Sequence, residues 1–260
     1  MQRMPTLSET DLSLFEIRTR YVRNYLTFAG KNSKDFLLYI SGPAVYDSPA
    51  VDVELQTVPG KNGDLIRENA KAGERRFKNL DISYDAFFFG SLPPRTAAVK
   101  SWLLSPVGYQ VLHDTYDPDF FRLALCKDAV AFEPKRNKGA TMKLTFHCQP
   151  QRWSVEGQRK IELTESATLR NPYDFPAKPI IRVYGSGEGR LYVGDQTLSI
   201  LANDGYIDLN CETHNAYDAQ GFCNGYVKSD DFPDLKPGRN TISWSGEIEK
   251  VEVTPRWWTL

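Results

Sequence analysis

The sequence predicts a mainly β protein organised as two β-sandwich domains, the first carrying one α-helix. Three observations predict it. Most of the chain alternates apolar and polar residues with period two between turn signals, which is the periodicity of strands. The 260 residues include 14 Phe, 13 Tyr and 5 Trp within a hydrophobic share of 41%, enough to fill cores and to exclude a disordered chain. The pattern breaks near Gln149-Pro150-Gln151-Arg152, and the charge changes sign there: 20 basic and 17 acidic residues precede residue 151, and 12 and 16 follow. The expected domains are therefore residues 1–150 and 151–260.

In the first half, residues 25–29 and 36–40 alternate around the polar run Gly30 to Asp35 and read as a hairpin with a long loop. Val51, Val53 and Leu55 alternate with Asp52, Glu54 and Gln56, a half-buried strand that ends at Pro59-Gly60-Lys61-Asn62-Gly63. Pro-Gly and Asn-Gly demand tight turns. Residues 64–76 are charged and have almost no large apolar residue after Ile66, so they are expected to project as a loop or arm. Leu80, Ile82 and Tyr84 open a strand that runs into Phe87-Phe88-Phe89. Pro93-Pro94 suits a first helical turn, Val99, Trp102 and Leu103 mark one helical face, and Pro106 and Gly108 stop the helix. Residues 11–23 read as helix or strand, with no periodicity that decides between them.

In the second half the expected strands are 180–184, 190–193, 197–201, 206–210, 241–244 and 250–253. Tight turns are expected at Gly185-Ser186-Gly187-Glu188-Gly189, Gly194-Asp195, Asn203-Asp204-Gly205 and Pro237-Gly238. Many short strands at close spacing indicate a sandwich or jelly-roll-like body.

Composition narrows the function. A formal charge of −1 lacks the cationic excess that grips DNA. The start of the chain has no apolar run of signal-peptide length, and no stretch approaches the roughly 20 apolar residues of a spanning helix. Cys126, Cys148, Cys211 and Cys223 are accordingly expected as reduced thiols, with Cys148 on a core-facing strand side.

Each chemical motif has a simpler structural reading. Gly185 to Arg190 looks like a phosphate cradle, but a strand follows where a helix N-terminus is needed. His113, Asp114, Asp117 and Asp119 match no metal loop and read as a solvated turn. Cys211, His214 and Cys223 lack the short Cys-x-x-Cys pair of a zinc knuckle, and Cys211 continues the buried face of Ile207 and Leu209. Asp195, Asp204, Asp208 and Glu212 are the candidate carboxylates for glycoside hydrolysis, but they sit in turns or on polar strand faces. No serine lies in a nucleophile elbow. No enzyme activity, catalytic residue, metal or cofactor is expected. Trp257 and Trp258 adjoin each other near the end; neighbouring strand residues face opposite sides, so one is expected in the core and the other toward a partner or sugar, unless both seal a terminal strand.

The ordered motifs resemble the distal tail proteins (Dit) of long-tailed bacteriophages. The residues that carry the resemblance are FAGKNSKDFLLYISG at 28–42, VPGKNGDLI at 58–66, NLDISYDAFF at 79–88, SWLLSPVGYQVLHDTYDPDFFRLA at 101–124 and LTFHCQPQRW at 144–153. NPYDFPAKPIIRVYGSGEGRLYVGD at 171–195, YIDLNCETHNAY at 206–217 and PRWWTL at 255–260 complete the series. The resemblance implies a ring-forming β-sandwich with one helix and a protruding hairpin, followed by a galectin-like sandwich. It further implies a homohexameric ring at the phage tail tip in the virion. That ring joins the tail tube protein to a tail-associated spike or lysin protein and to receptor-binding or other baseplate proteins, and DNA passes only through its lumen. On this reading Asp64, Arg67, Arg75 and Arg76 form polar pairs between subunits. The alternative function is a carbohydrate-binding module that contacts a host surface glycan through Trp244, Trp257 or Trp258.

Overall fold

The computed structural model describes residues 23–41, 47–68, 75–90, 92–135, 139–202, 204–229 and 231–260. Of the ambiguous stretch 11–23, only Arg23 lies inside the described residues. Contacts cluster into two compact units, one running through Gln151 and joined by Leu260, the other Arg152–Thr259. Both are built of antiparallel sheets, and the fold is a mainly β, sandwich-type architecture with one α-helix among the described residues. No helix among them is long and apolar enough to cross a membrane.

The first unit contains β1 (Leu26–Phe28), β2 (Lys31–Asn32), β3 (Leu38–Ser41), β4 (Val53–Thr57), β5 (Asp64–Glu68), β6 (Leu80–Phe89), α1 (Leu92–Leu104), β7 (Gln110–Asp114), β8 (Phe120–Leu125), β9 (Glu133–Pro134) and β10 (Gly139–Cys148). Its main sheet has the order β2-β1-β7-β8-β10-β6-β3. β1 and β3 are thus not the two arms of one hairpin, as their sequence spacing suggests. β1 folds back onto β2, and the 3₁₀ turn Ser33–Phe36 then leads to β3, with Leu37 following it at φ 52°. The sheet instead curls until Asn24, just before β1, bridges Ile40 of β3, whose N–H donates to the Asn24 carbonyl at 2.9 Å.

The inner face of the curled sheet is aromatic. Phe28, Phe88 and Phe146 are fully buried, with Leu26, Leu38, Ile82, Leu144 and Cys148 around them. Helix α1 lays Val99, Trp102 and Leu103 onto this core, the face expected from their spacing. Trp102 is held from three sides: its ring stacks on Phe36 at 4.7 Å, meets Phe28 edge-on at 6.4 Å, and its Nε1–H donates to the Phe28 carbonyl at 2.9 Å. A buried indole needs such an acceptor.

The second unit contains β11 (Arg152–Ser154), β12 (Ile161–Leu163), β13 (Ala167–Asn171), β14 (Ile180–Val193), β15 (Gln196–Ile200), β16 (Asp204–Asn210), β17 (Asn215–Tyr217), β18 (Val227–Lys228), β19 (Gly238–Thr254) and β20 (Trp258–Thr259). The two longest strands organise it. The first half of β14 pairs with β16 and with the end of β19, which also carries β12; the second half pairs with β15 and with the start of β19, which also carries β13. The result is two layers that share the same two strands.

The Gly185–Gly189 run is not the hairpin turn expected from its composition. β14 runs through it without a reversal, and the expected strands 241–244 and 250–253 are likewise one strand, β19. The pairing register slips at Gly185 and again before Gly189. There the two backbones come too close for side chains. A Cβ at Gly185 would lie 2.1 Å from the Glu247 carbonyl oxygen, and one at Gly246 would lie 2.5 Å from that of Glu188. This bulge bends both strands at one place, as strands that pass between packed sheets must. Ile181 and Val183 before the bend, and Leu191 and Val193 after it, then share one core with Leu198, Ile200, Ile207, Leu209, Ile242, Val251 and Val253. The second core is therefore aliphatic and β-branched where the first is aromatic.

Candidate interaction sites

The hairpin of β4 and β5 is largely exposed. Among the described residues these strands pair only with each other, in the register Val53↔Glu68 to Thr57↔Asp64, with the Pro-Gly and Asn-Gly turns at the tip. The strand through Val51, Val53 and Leu55, expected to be half-buried, is one limb of this arm: Leu55 is 59% exposed. Ile66, directly opposite Leu55 and so on the same face, is 65% exposed, and Leu65 on the other face is 42% exposed. A lone two-stranded hairpin is marginal in water, and its apolar face gains about 1.5–3 kcal/mol for each such side chain that a partner covers.

Of the arm expected at residues 64–76, residues 64–68 form its second limb, 75–76 lie at its base and 69–74 lie outside the described residues; the first limb, Val53–Thr57, was expected instead as a half-buried strand. Asp64 and Arg67 both lie on the arm but on opposite faces. The Thr57 hydroxyl donates to Asp64 Oδ1 at 2.8 Å, and Arg67 stands across from Glu54. Arg75 and Arg76 lie at its base, exposed, where the Arg76 carbonyl accepts from the Asp52 N–H at 2.8 Å and Val51 bridges Phe77. Sequence reading missed Leu55, Leu65 and Ile66 as surface residues, because an alternating strand has the same pattern whether a core or a partner covers it.

The terminal tryptophans are structural in their contacts. Trp257 is 7% exposed within the second core. Trp258 is half-buried, stacks on Phe175 at 4.5 Å and donates from Nε1 to the Pro176 carbonyl at 2.9 Å. Trp244 also packs against the core.

The other motifs resolve into local structure. Asp114 accepts from the Tyr116 and Asp117 N–H groups and from the Tyr84 hydroxyl at 2.6 Å. Burial, reinforced by that carboxylate, pushes the Tyr84 hydroxyl well above its usual pKa. Burial likewise pushes the Cys148 thiol up to about 12 and raises that of Cys211. All four cysteines are free thiols. His214 stacks on Phe232 and pairs with Asp231. Among the described residues, no group of three or more His, Cys, Asp or Glu side chains is placed to hold a metal. Of the weighed carboxylates, Asp195 pairs with Lys236, Asp208 with Arg182 and Glu212 with Arg256, while Asp204 is exposed.

The outer face of the layer formed by β12, β16, β17 and the adjoining parts of β14 and β19 carries a polar ladder around a cleft of about 300 Å³. Arg182 makes a two-pronged contact with Asp208, Nε to Oδ1 at 2.6 Å and Nη2 to Oδ2 at 2.7 Å, and lies over the Tyr206 ring at 4.2 Å. The Asp208 hydrogen bond holds the Arg182 guanidinium above even its usual pKa. Glu252 accepts from the Tyr184 hydroxyl at 2.9 Å and from Lys160 at 3.4 Å. Burial pushes the Glu252 carboxyl up, but the Tyr184 hydroxyl and the Lys160 ammonium outweigh it and hold the group below the usual carboxylate range.

No protein-family model matches the sequence, and no curated protein matches it. Among solved structures, the fold is similar to that of the Dit protein (gp 19.1) of phage SPP1, at a TM-score of 0.69 and 14% identity, covering 91% of this chain and 99% of that one. That protein is described as a paradigm of the hub adsorption apparatus in phages that infect Gram-positive bacteria.

Proposed function

We propose that the chain is a non-catalytic structural protein of a phage tail tip, a hub that closes into a six-membered ring. On this reading residues 1–150 form the ring and residues 151–260 form a galectin-like domain outside it. The ring joins the tail tube protein to the tail-associated spike or lysin and to receptor-binding or other baseplate proteins, in the virion, with DNA passing through its lumen. Two independent lines support the reading. The fold matches the SPP1 hub protein over almost the full length of both chains. The observation in this molecule that carries it is the unpartnered β4–β5 arm, whose exposed Leu55 and Ile66 have nothing of their own chain to cover them among the described residues.

An arm that fits a different surface on an identical neighbour makes a head-to-tail contact, and such contacts close into a ring when the rotation divides the circle. Asp64, Arg67, Arg75 and Arg76 flank the apolar face and set its orientation rather than its affinity. Light scattering combined with negative-stain imaging of the full chain tests the ring. The expected result is a closed particle of six times the 29.6 kDa chain mass. A chain that stays monomeric up to millimolar concentration overturns it.

A further inference from the structure

We infer that the cleft on the outer face of the second unit is a binding site for a neutral saccharide, separate from the terminal tryptophans and independent of ring assembly. The cleft of about 300 Å³ is lined by Lys160, Arg182, Asp208, Asn210, Tyr217 and Glu252 together with Ile180 and Thr254. That volume is at the lower limit of small-molecule sites and suits one or two sugar units.

The lining determines the ligand's charge. Two cations face two anions, and each is already paired: Arg182 with Asp208, Lys160 with Glu252. A charged ligand would have to break one of these pairs to form its own, leaving a charge without its partner. A hydroxyl needs no such exchange. It donates to the lone pairs that each carboxylate still has and accepts from the remaining N–H groups of the cations. Dense alternation of fixed donors and acceptors thus suits a polyol. Two more groups extend the ladder. Asn210 uses its Oδ1 to accept from the Glu212 and Thr213 N–H groups, which fixes the side chain and leaves its NH₂ without a partner among the described residues. Tyr217 also lines the cleft, and its hydroxyl has no hydrogen-bond partner among the described residues.

The sites are held in place before any ligand arrives. The Asp208 fork and the Tyr206 ring fix Arg182, and the Tyr184 hydroxyl fixes Glu252. Such preorganisation lowers the entropic cost of binding.

The second requirement of sugar recognition is an apolar surface for the C–H face of the ring, and an adjoining loop supplies it. Tyr217 packs on Phe222 with ring centroids 4.7 Å apart, and Phe222 is 75% exposed. An exposed phenylalanine is held there deliberately: Asp218 Oδ1 accepts from the Gln220 and Gly221 N–H groups, and residue 217 bridges residue 222. Tyr226, 49% exposed, lies in the same loop. The polar ladder and the aromatic wall meet at Tyr217.

The test uses the full chain on an array of neutral hexose and N-acetylhexosamine oligosaccharides, beside sialylated and phosphorylated ones, followed by calorimetric titration of the strongest hit. Saturable binding to a neutral glycan is expected, with little change between low and high salt. Phe222→Ser is expected to weaken it about tenfold, and Tyr217→Phe several-fold, while both variants keep the wild-type unfolding curve. Absence of any saturable hit, binding confined to charged glycans, or a neutral hit indifferent to both substitutions would overturn the inference. Trp258→Phe serves as the counter-probe: a loss confined to that variant would return the site to the chain end. None of these outcomes bears on ring closure, which the light-scattering experiment reads separately.

Discussion

Two glycine-rich runs look alike in the sequence and do opposite work. Pro59-Gly60-Lys61-Asn62-Gly63 reverses the chain at the tip of the arm. Gly60 and Gly63 both sit at φ 79°, and a Cβ at either would meet nothing within 4 Å. Gly185 to Gly189 does not reverse the chain. Its glycines let β14 and β19 touch backbone to backbone where both strands pass from one layer to the other. At the tip, glycine is chosen for its own torsion; at the bend, Gly185 is chosen for the neighbour's carbonyl and Gly246 for both. The difference teaches that composition locates a departure from regular pairing but not its kind.

The comparison can be broken most sharply at the bend. Gly185→Ala forces a backbone oxygen aside and should cost about 3 kcal/mol or more, read as a lower midpoint in urea unfolding of the second unit. Gly63→Ala places an L side chain in the left-handed region with open space around it, so about 1 kcal/mol is expected, read in the urea unfolding of the first unit. If the two variants lose equal stability, the distinction between close approach and torsion fails.

A smaller effect follows from pH. The Glu252 carboxyl is held below its ordinary range, so its contribution to stability is complete above the unfolded value and fades as pH falls through the folded one. Glu252→Gln should therefore lower stability at neutral pH by less than about 1 kcal/mol and by nothing once the wild-type carboxyl is protonated. Denaturation midpoints of the two proteins across an acid series should converge. No such convergence is expected for substitutions in the arm.

The smallest change in stability, with the largest in assembly, belongs to the arm. Leu55→Ser with Ile66→Ser removes exposed apolar groups and should move the unfolding midpoint by no more than about 0.5 kcal/mol. The same double variant should lose the ring in light scattering. A variant that still forms particles of wild-type mass at wild-type concentration removes the arm from the contact.

What the sequence made legible was whatever is local. The alternation at Leu80, Ile82 and Tyr84 and the helical face of Val99, Trp102 and Leu103 carry their burial in their own spacing, and the structure buries Ile82, Tyr84 and all three helical residues. What it hid depends on distant partners. β1 and β3 look like a hairpin because they are close in sequence, yet β1 pairs with β7, more than eighty residues on. Val53 and Leu55 alternate like a core strand, and they form an arm because no layer of the described residues covers them. Phe222, 75% exposed, is hidden for a similar reason: the Asp218 turn that precedes it leaves no hydrophobic periodicity to detect. Charge marks the segment at Asp64 and Arg67, and the structure places both on the exposed hairpin. Candidate residues were missed where an apolar group stands on the wrong side of the surface.

The arm's place in the chain has one more consequence. It is inserted between β3 and β6, which are neighbours in the sheet and pair across Leu38↔Phe88 to Ser41↔Asp85. The two strands must meet whatever lies between them. The entropy of closing that loop grows only with the logarithm of its length, about 0.6 kcal/mol per doubling. Arm length is therefore nearly free to drift over evolutionary time: a lineage can lengthen, shorten or re-charge the reach of this segment without renegotiating the core beneath it.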